Sequence, residues 1–178
     1  MEEYVDYMNK TFPLALQELK NIAENKTTIK QTTMATVNIY LNFNGNCEDA
    51  FNFYKSVFGG EFNYISRFGE MPQGEGYTVP EADKNKIMHI GLPIGNTILM
   101  GSDTGGDWAP TFVQGNNFSI SITPESKEEA DKLFNGLSAD GQVTMPMENT
   151  FWGAYFGMLT DKFGINWMIN FEVQQGEK

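Results

Sequence analysis

Residues 46–60 read NCEDAFNFYKSVFGG, and residues 126–141 read SKEEADKLFNGLSADG. In both stretches apolar residues recur at i, i+3, i+4 and i+7, the spacing that places side chains on one face of a helix. The matching positions are Ala50, Phe53, Tyr54 and Val57 in the first stretch and Ala130, Leu133, Phe134 and Leu137 in the second. Asn46 and Ser126 stand at N-cap positions, and a glycine follows each apolar face. The sequence therefore predicts two equivalent helices.

Segments with strand-like sequence surround each helix in the same order. Before the helices, apolar and polar residues alternate from Val37 to Phe43 and from Phe118 to Ile122, the period of a strand with one buried face. After the helices follow Glu61–Arg67, Ile87–Leu92 and Thr97–Met100 in the first half, and Gln142–Met147, Trp152–Leu159 and Trp167–Phe171 in the second. An offset of about 80 residues matches the two halves. We therefore predict an α+β fold of two βαβββ modules, at about 36–103 and 117–173.

Composition and charge narrow the classes of partner. A chain of 178 residues fits one domain with a hydrophobic core. Its formal net charge of -11 would repel a nucleic-acid backbone or an anionic membrane surface. The first residues are acidic and polar, no apolar run is long enough for a membrane span, and Cys47 is the single cysteine. We therefore expect a cytoplasmic protein that binds neither nucleic acid nor membrane.

Residues 1–33 differ from the rest of the chain. Apolar residues between Phe12 and Asn25 predict one short helix, and a polar run follows it. One interpretation is a helix that docks on a partner or a second subunit; the other is an extension packed loosely on the domain. We favour the extension, because an isolated helix this short is only marginally stable in water. The duplicated domain is expected to span 34–178.

Three separated runs resemble the PhnB-like branch of the vicinal-oxygen-chelate (glyoxalase/bleomycin-resistance protein/dioxygenase) superfamily. They are FNFYKSVFGG at 51–60, KIMH at 86–89 and FWGAYFGMLTDKFG at 151–164. The resemblance spans residue 34 to about residue 173 and leaves out residues 1–33. It implies that the two modules curl into a cup-shaped mixed sheet, which in that superfamily holds a small molecule with or without a divalent metal.

A metal-dependent member would place His, Gln or Glu on the first and last strands of its modules. Here those strands offer Asn42, Ser119, Ser121 and Asn170, and the chain has one histidine. We therefore predict no bound metal and no cofactor.

The predicted ligand site centres on His89, which matches the histidine of the family's second motif. Matching Gly91 to Gly157 makes His89 and Tyr155 equivalent, so we expect them to face one cavity from opposite walls. His89 would act there as a hydrogen-bond donor or a general base. The alternative for His89 is a half-buried histidine that anchors a loop.

Three further residues complete the predicted site. Trp152 is expected near the mouth, and Arg67 and Asp103 are candidate polar anchors. A salt bridge at the rim is the favoured alternative for Arg67, and a turn residue is an equal alternative for Asp103. Cys47 lies near a helix start but has no basic neighbour in sequence, which favours a small core residue over a nucleophile.

These observations predict a metal-independent small-molecule binding protein. One alternative is a metal-dependent enzyme of the glyoxalase or dioxygenase kind, and another is an interaction module that uses the N-terminal helix. We also predict a homodimer, because exposed sheet edges are often buried by pairing and two-fold dimers are the commonest oligomers.

Overall fold

The computed structural model describes residues 37–71, 78–105 and 110–172. It divides the chain into two units, Met1–Val37 and Asn38–Lys178, and all the described helices and strands belong to the second. The helix predicted between Phe12 and Asn25 lies outside the described residues.

Two modules follow each other with the same order of elements. The first contains β1 (Ile39–Phe43), α1 (Cys47–Phe58), β2 (Tyr64–Arg67), β3 (Ile87–Ile94) and β4 (Thr97–Asp103). The second contains β5 (Ile120–Ile122), α2 (Lys127–Leu137), β6 (Gln142–Asn149), β7 (Ala154–Thr160) and β8 (Asn166–Glu172). Single 3-10 turns cover Phe68–Glu70 and Glu81–Asp83. The predicted βαβββ duplication is confirmed.

Each module forms its own four-stranded mixed sheet. The strand order is β1-β4-β3-β2 in the first sheet and β5-β8-β7-β6 in the second. The first and last strands of each module run parallel, and the other neighbours are antiparallel. The topology is therefore that of the vicinal-oxygen-chelate fold implied by the resemblance.

Each sheet buries one face and leaves the other more accessible. In the first sheet Leu41, Ile90 and Leu99 are buried on the side of α1. In the second, Trp167 and Ile169 are buried on the side of α2. We call the opposite side of each sheet its open face.

The two helices meet between the modules. A Cβ atom at Gly136 of α2 would lie 2.9 Å from Cγ1 of Val57 on α1, so a larger residue would push the helices apart. Residues of both modules form one hydrophobic core.

With lengths of 12 and 11 residues, α1 and α2 are short, and no helix in the described part of the chain could cross a membrane.

A buried carboxylate on β4 holds the start of α1. Asp103 is 5% exposed, and its Oδ1 accepts hydrogen bonds from the backbone N–H groups of Gly45 and Cys47, each at 2.9 Å. Its Oδ2 accepts the backbone N–H of Ile87 at 2.9 Å. Asn46 occupies the N-cap position, as predicted, but its side chain makes no capping bond. Asp103 satisfies the helix start instead.

A second buried carboxylate joins the two modules. Asp161 lies in the turn between β7 and β8. Its Oδ2 accepts hydrogen bonds from the Tyr54 hydroxyl of α1 and from the indole N–H of Trp167, both at 2.8 Å. Its Oδ1 accepts the backbone N–H groups of Phe163 and Ile165, at 2.8 and 3.0 Å. Burial and the Asp161 carboxylate raise the pKa of Tyr54, so the phenol stays protonated and keeps donating.

Candidate functional site

Three ring side chains meet on the open face of the first sheet. His89 is half-buried and lies between Tyr40 and Tyr64. The centroid of its imidazole is 5.6 Å from the centroid of each tyrosine ring. Its Nδ1 atom is 3.2 Å from the Tyr40 hydroxyl oxygen. We call these three residues the Tyr–His cluster; its tyrosines are 44% and 51% exposed, so a ligand can reach it.

Strand order brings the cluster together, although its members are far apart in sequence. Tyr40 on β1 pairs with Met100 on β4, which in turn pairs with Gly91 on β3. Gly91 pairs with Tyr64 on β2. Residues that pair directly point to one side of a sheet, and His89 shares that side because it stands two positions before Gly91.

A buried serine adjoins the cluster. Ser66 pairs with His89 across β2 and β3, so both side chains point to the open face. Ser66 is 7% exposed, and its Oγ has no hydrogen-bond partner within the described residues. A buried polar group without a partner costs roughly 1–3 kcal/mol. Its hydroxyl can still donate to and accept from a bound group.

The contact with Tyr40 determines what His89 can offer to a ligand. When the Tyr40 hydroxyl donates to Nδ1, the neutral ring carries its proton on Nε2, which is then a donor. When Nδ1 carries the proton and donates to the Tyr40 oxygen, Nε2 is an acceptor and can take a proton. In both forms Nε2 is the ring nitrogen available to a ligand.

Tyr155 lies on the opposite side of its sheet from the position we predicted. It pairs with Phe171 on the helix side of the second sheet, and its hydroxyl donates to Oδ1 of Asp131 on α2 at 2.7 Å. The ammonium of Lys127 lies 4.1 Å from its ring centroid, and the bond to Asp131 raises the pKa of Tyr155. Tyr155 therefore packs beneath α2 and does not converge with His89.

The open face of the second sheet carries Phe156 instead. Phe156 directly follows Tyr155 and pairs with Asn170. Successive side chains of a strand point to opposite sides, so Phe156 lies on the open face. Trp152, which precedes β7, is 55% exposed and packs edge-on against Phe156 with the ring centroids 5.9 Å apart. Phe151 beside it is 97% exposed. Trp152 thus borders an open face, but that of the second module and not that of His89.

Arg67 and Asp103, the two predicted polar anchors, both form hydrogen bonds with other groups of the chain. Arg67 donates from both terminal nitrogens to the two carboxylate oxygens of Glu48, at 2.9 and 2.6 Å, and also to the carbonyl of Asn85. These hydrogen bonds lower the pKa of Glu48 and raise that of Arg67. Asp103 is occupied by the three backbone N–H groups described above. The favoured alternative for Arg67, a salt bridge, matches its contacts, and Asp103 has a structural role at the start of α1.

Metal-ligating and nucleophilic groups do not converge in the parts of the chain that the structure describes. Across 37–71, 78–105 and 110–172, no three His, Cys, Asp or Glu side chains come close enough to hold one ion. Cys47 is fully buried, and burial, together with the nearby carboxylates of Asp103 and Glu48, raises the pKa of its thiol. The thiol is therefore protonated at neutral pH, as a small core residue would be.

Sequence reasoning missed Tyr40, Tyr64 and Ser66. The signal for Tyr40 is present, since it occupies a polar position of the alternation in β1 and should face away from the core. Tyr64 and Ser66 also alternate within β2, but only the pairing register places them beside His89.

A family model described as 3-demethylubiquinone-9 3-methyltransferase matches residues 8–170. The match covers most of the chain. It also begins inside residues 1–33, the segment that we expected the family resemblance to leave out.

Solved structures of known proteins share the architecture. Protein PA1353 from Pseudomonas aeruginosa is 41% identical, with 78% of this chain and 98% of that chain covered and a TM-score of 0.66. A PhnB protein from Bacillus cereus is 28% identical, with coverages of 77% and 99% and a TM-score of 0.60. A glyoxalase/bleomycin resistance protein/dioxygenase family enzyme from Burkholderia phytofirmans is 18% identical, with coverages of 75% and 97% and a TM-score of 0.50, and shows a common fold.

Proposed function

The chain belongs to the 3-demethylubiquinone-9 3-methyltransferase family, in the PhnB-like branch of the vicinal-oxygen-chelate superfamily, and we propose that it binds a small molecule without a metal. The observation that carries this proposal is the Tyr–His cluster with Ser66 beside it. Two accessible aromatic rings, one imidazole and one buried hydroxyl that has no hydrogen-bond partner among the described residues lie on a single sheet face. An apolar surface with a few oriented polar groups is the usual composition of a small-molecule site.

The chemistry of the cluster favours a planar ring that carries oxygen atoms. Tyr40 and Tyr64 offer ring faces for stacking. Nε2 of His89 and Oγ of Ser66 can pair with hydroxyl or carbonyl oxygens on the edge of the ligand. The family's description names 3-demethylubiquinone, whose quinone ring fits this class. We therefore propose a phenol or quinone with neighbouring oxygens as the ligand.

The available donors support metal independence. The chain has one histidine, and its Nδ1 is already in contact with Tyr40. Of the buried carboxylates, Asp103 and Asp161 accept hydrogen bonds from backbone and side-chain groups, and Asp83 forms an ion pair with Lys86. A catalytic divalent ion usually needs about three protein ligands and an open position. The described residues supply no such set.

We further propose that the protein works as a cytoplasmic homodimer. Within one chain the open faces of both sheets carry accessible aromatic side chains, including Tyr64 and Trp152 at 51% and 55% exposure. Apolar surface of this kind commonly marks an interface. A second copy could cover these faces and close the site. Light scattering should show a species of twice the 20.0 kDa chain mass, and a monomer at micromolar concentration would contradict this.

Calorimetric titration of catechol into metal-stripped protein tests the proposal. Catechol is a planar ring with two neighbouring hydroxyls, and its binding should be unaffected by EDTA. His89→Ala and Tyr40→Phe should each weaken it about 5- to 150-fold, because a lost partner for a polar group costs roughly 1–3 kcal/mol. Tyr155→Phe is the matched control, since it removes a tyrosine hydroxyl on the helix side of the other sheet. Its affinity should equal that of the parent protein.

Two results would contradict the proposal. The first is absence of binding by catechol and 2-methoxyphenol at millimolar concentration. The second is an equal loss of affinity in Tyr40→Phe and Tyr155→Phe, which would mean that both variants act through stability. Unfolding curves of all variants distinguish these cases.

Methyl transfer is the second candidate function, because the matched family is described by that activity. The step would move a methyl group from the sulfur of a sulfonium donor to a phenol oxygen, which leaves the donor as a thioether and releases the phenol proton. Incubation of the protein with catechol and S-adenosylmethionine tests it, with 2-methoxyphenol as the product. Our proposal expects no product, with or without added zinc, manganese or iron. Product above the protein-free control would favour the enzyme.

A further inference from the structure

A cavity of about 920 Å³ lies beside the Tyr–His cluster. It is lined by residues 40–46 at the end of β1, by residue 104, by residues 111–115 and 118 ahead of β5, and by residues 163–165 between β7 and β8. Tyr40 is the one member of the cluster that borders it. Its volume falls within the range of about 300–1,000 Å³ that is usual for ligand sites.

None of the described residues that line this cavity is charged. Charged residues make up 20% of the chain, yet the 17 lining residues within the described ranges include no Asp, Glu, Lys, Arg or His. An ionic ligand would find no counter-charge among these 17 residues and would lose part of its hydration. The lining therefore favours an uncharged ligand.

Four side-chain amides contribute to the polar part of the lining. Asn42, Asn44 and Asn46 follow each other at every second position, and Gln114 comes from the segment ahead of β5. Asn42 and Asn46 are exposed and make no side-chain hydrogen bond within the described residues. Gln114 donates from Nε2 to the carbonyl of Phe163 at 2.8 Å, which leaves its Oε1 as an acceptor. An amide both donates and accepts, as a hydroxyl group does.

The loop that carries these amides is held in place. Gly45 has φ 94°, a conformation that favours glycine and lets the chain turn between β1 and α1. The backbone N–H groups of Gly45 and Cys47 both donate to Asp103. The hydroxyl of Thr104 donates to the carbonyl of Phe43 at 3.0 Å. The amide positions are therefore preorganised, which lowers the entropy lost on binding.

Aromatic rings form another part of the lining. Tyr40 and Phe118 are 44% and 46% exposed, and Phe163 borders the cavity from the other side. Rings of this kind offer apolar faces to the C–H groups of a ligand, while the amides pair with its hydroxyls. From this combination we propose that the cavity is a second binding site, which takes an uncharged polyhydroxylated molecule the size of a mono- or disaccharide.

Saturation-transfer NMR with a fixed panel of probes tests this site. The neutral probes are D-glucose, N-acetyl-D-glucosamine, myo-inositol and sucrose, and the charged ones are D-glucose 6-phosphate, D-gluconate and D-glucosamine. At least one neutral probe should bind with a millimolar or lower dissociation constant. Each charged probe should bind at least about tenfold more weakly than the neutral probe. Asn42→Ala or Asn46→Ala should weaken the neutral probe about tenfold, the usual effect of one lost hydrogen bond.

Asn52→Ala is the matched control, because Asn52 is an exposed asparagine of α1 that does not line the cavity. It should bind the neutral probe as the parent protein does, and all three variants should melt at the parent temperature. The inference is overturned if no neutral probe binds, if a charged probe binds equally well, or if the variants at 42 and 46 behave like the control. Catechol titration of the same samples shows whether the Tyr–His cluster is intact, so failure at one site is distinguishable from failure at the other.

Discussion

Replacing Asp161 with Asn tests whether one carboxylate joins the two modules. The carboxylate accepts four hydrogen bonds, with Tyr54 and Trp167 at Oδ2 and with Phe163 and Ile165 at Oδ1. An amide of the same shape has one oxygen, so two of these donors would face its NH2 group. Only the Tyr54 hydroxyl can rotate to accept from that group.

The size of the effect follows from the number of lost partners. Hydrogen bonds to a charged group contribute about 1.5–3 kcal/mol each, and a buried donor left unpaired costs roughly 1–3 kcal/mol. With one or two donors unpaired at a site that is 4% exposed, Asp161→Asn should lower the free energy of unfolding by about 2–4 kcal/mol. In a chain of this size that loss corresponds to a fall in Tm of roughly 5–15 °C.

Thermal unfolding followed by circular dichroism measures the change. Asp140→Asn is the matched control, because Asp140 is exposed and has φ 58°, a conformation that asparagine also tolerates. The control should stay within about 0.5 kcal/mol of the parent protein. If Asp161→Asn melts at the same temperature as the control, Asp161 does not hold the modules together and the reasoning is refuted.

Three further outcomes are expected. The Cys47 thiol, the only one in the chain, should resist a disulfide reagent at pH 8 in the native protein, because burial raises its pKa. It should react after unfolding in urea. Rapid reaction in the folded state would contradict this prediction. Gly101→Ala should destabilise the fold by roughly 1–3 kcal/mol, since its Cβ would lie 2.6 Å from the Phe51 ring and 3.0 Å from the carbonyl oxygen of Leu41; an unchanged urea midpoint would refute that clash. Deletion of residues 1–33 should leave cooperative melting of the remaining chain intact, and its loss would show that the segment belongs to the core.

The fold could be predicted from the sequence because its signals are local and repeated. The apolar faces of α1 and α2 share one spacing, and the strands around them alternate with period two. The predicted ends of the strands were less accurate. β3 extends to Ile94 and β4 to Asp103, whereas the sequence predicted that they end at Leu92 and Met100. These extra residues lie beside turns, where hydrogen bonding to the neighbouring strand decides the end and the side-chain pattern does not.

The site could be predicted only in part, because it depends on register. Gly91 and Gly157 look equivalent in sequence, but Gly91 lies on an open face and Gly157 on a helix side, where its Cβ would be 2.8 Å from the ring of Phe134. An error of one residue reverses the side of every side chain in a strand. That error is why Tyr155 was expected where Phe156 stands.

The predicted roles of Arg67 and Asp103 as polar anchors for a ligand differ from their observed contacts for a different reason. Arg67 and Asp103 were judged by what such side chains can bind, whereas their actual partners come from elements distant in sequence. Glu48 on α1 neutralises Arg67, and the N–H groups at the start of α1 occupy Asp103. A single sequence carries no signal for these pairings.

The central claim is that the open face around His89 binds its ligand without a metal, and the nitrogen NMR spectrum of the imidazole tests it most directly. His89 is the only histidine, so protein labelled with nitrogen-15 at histidine gives signals from this ring alone. In EDTA-treated protein, catechol should shift the Nε2 resonance saturably, with the affinity found by calorimetry, and added zinc or manganese should change nothing. A spectrum that stays unchanged at saturating catechol, or that responds only after a divalent metal is added, would contradict the claim.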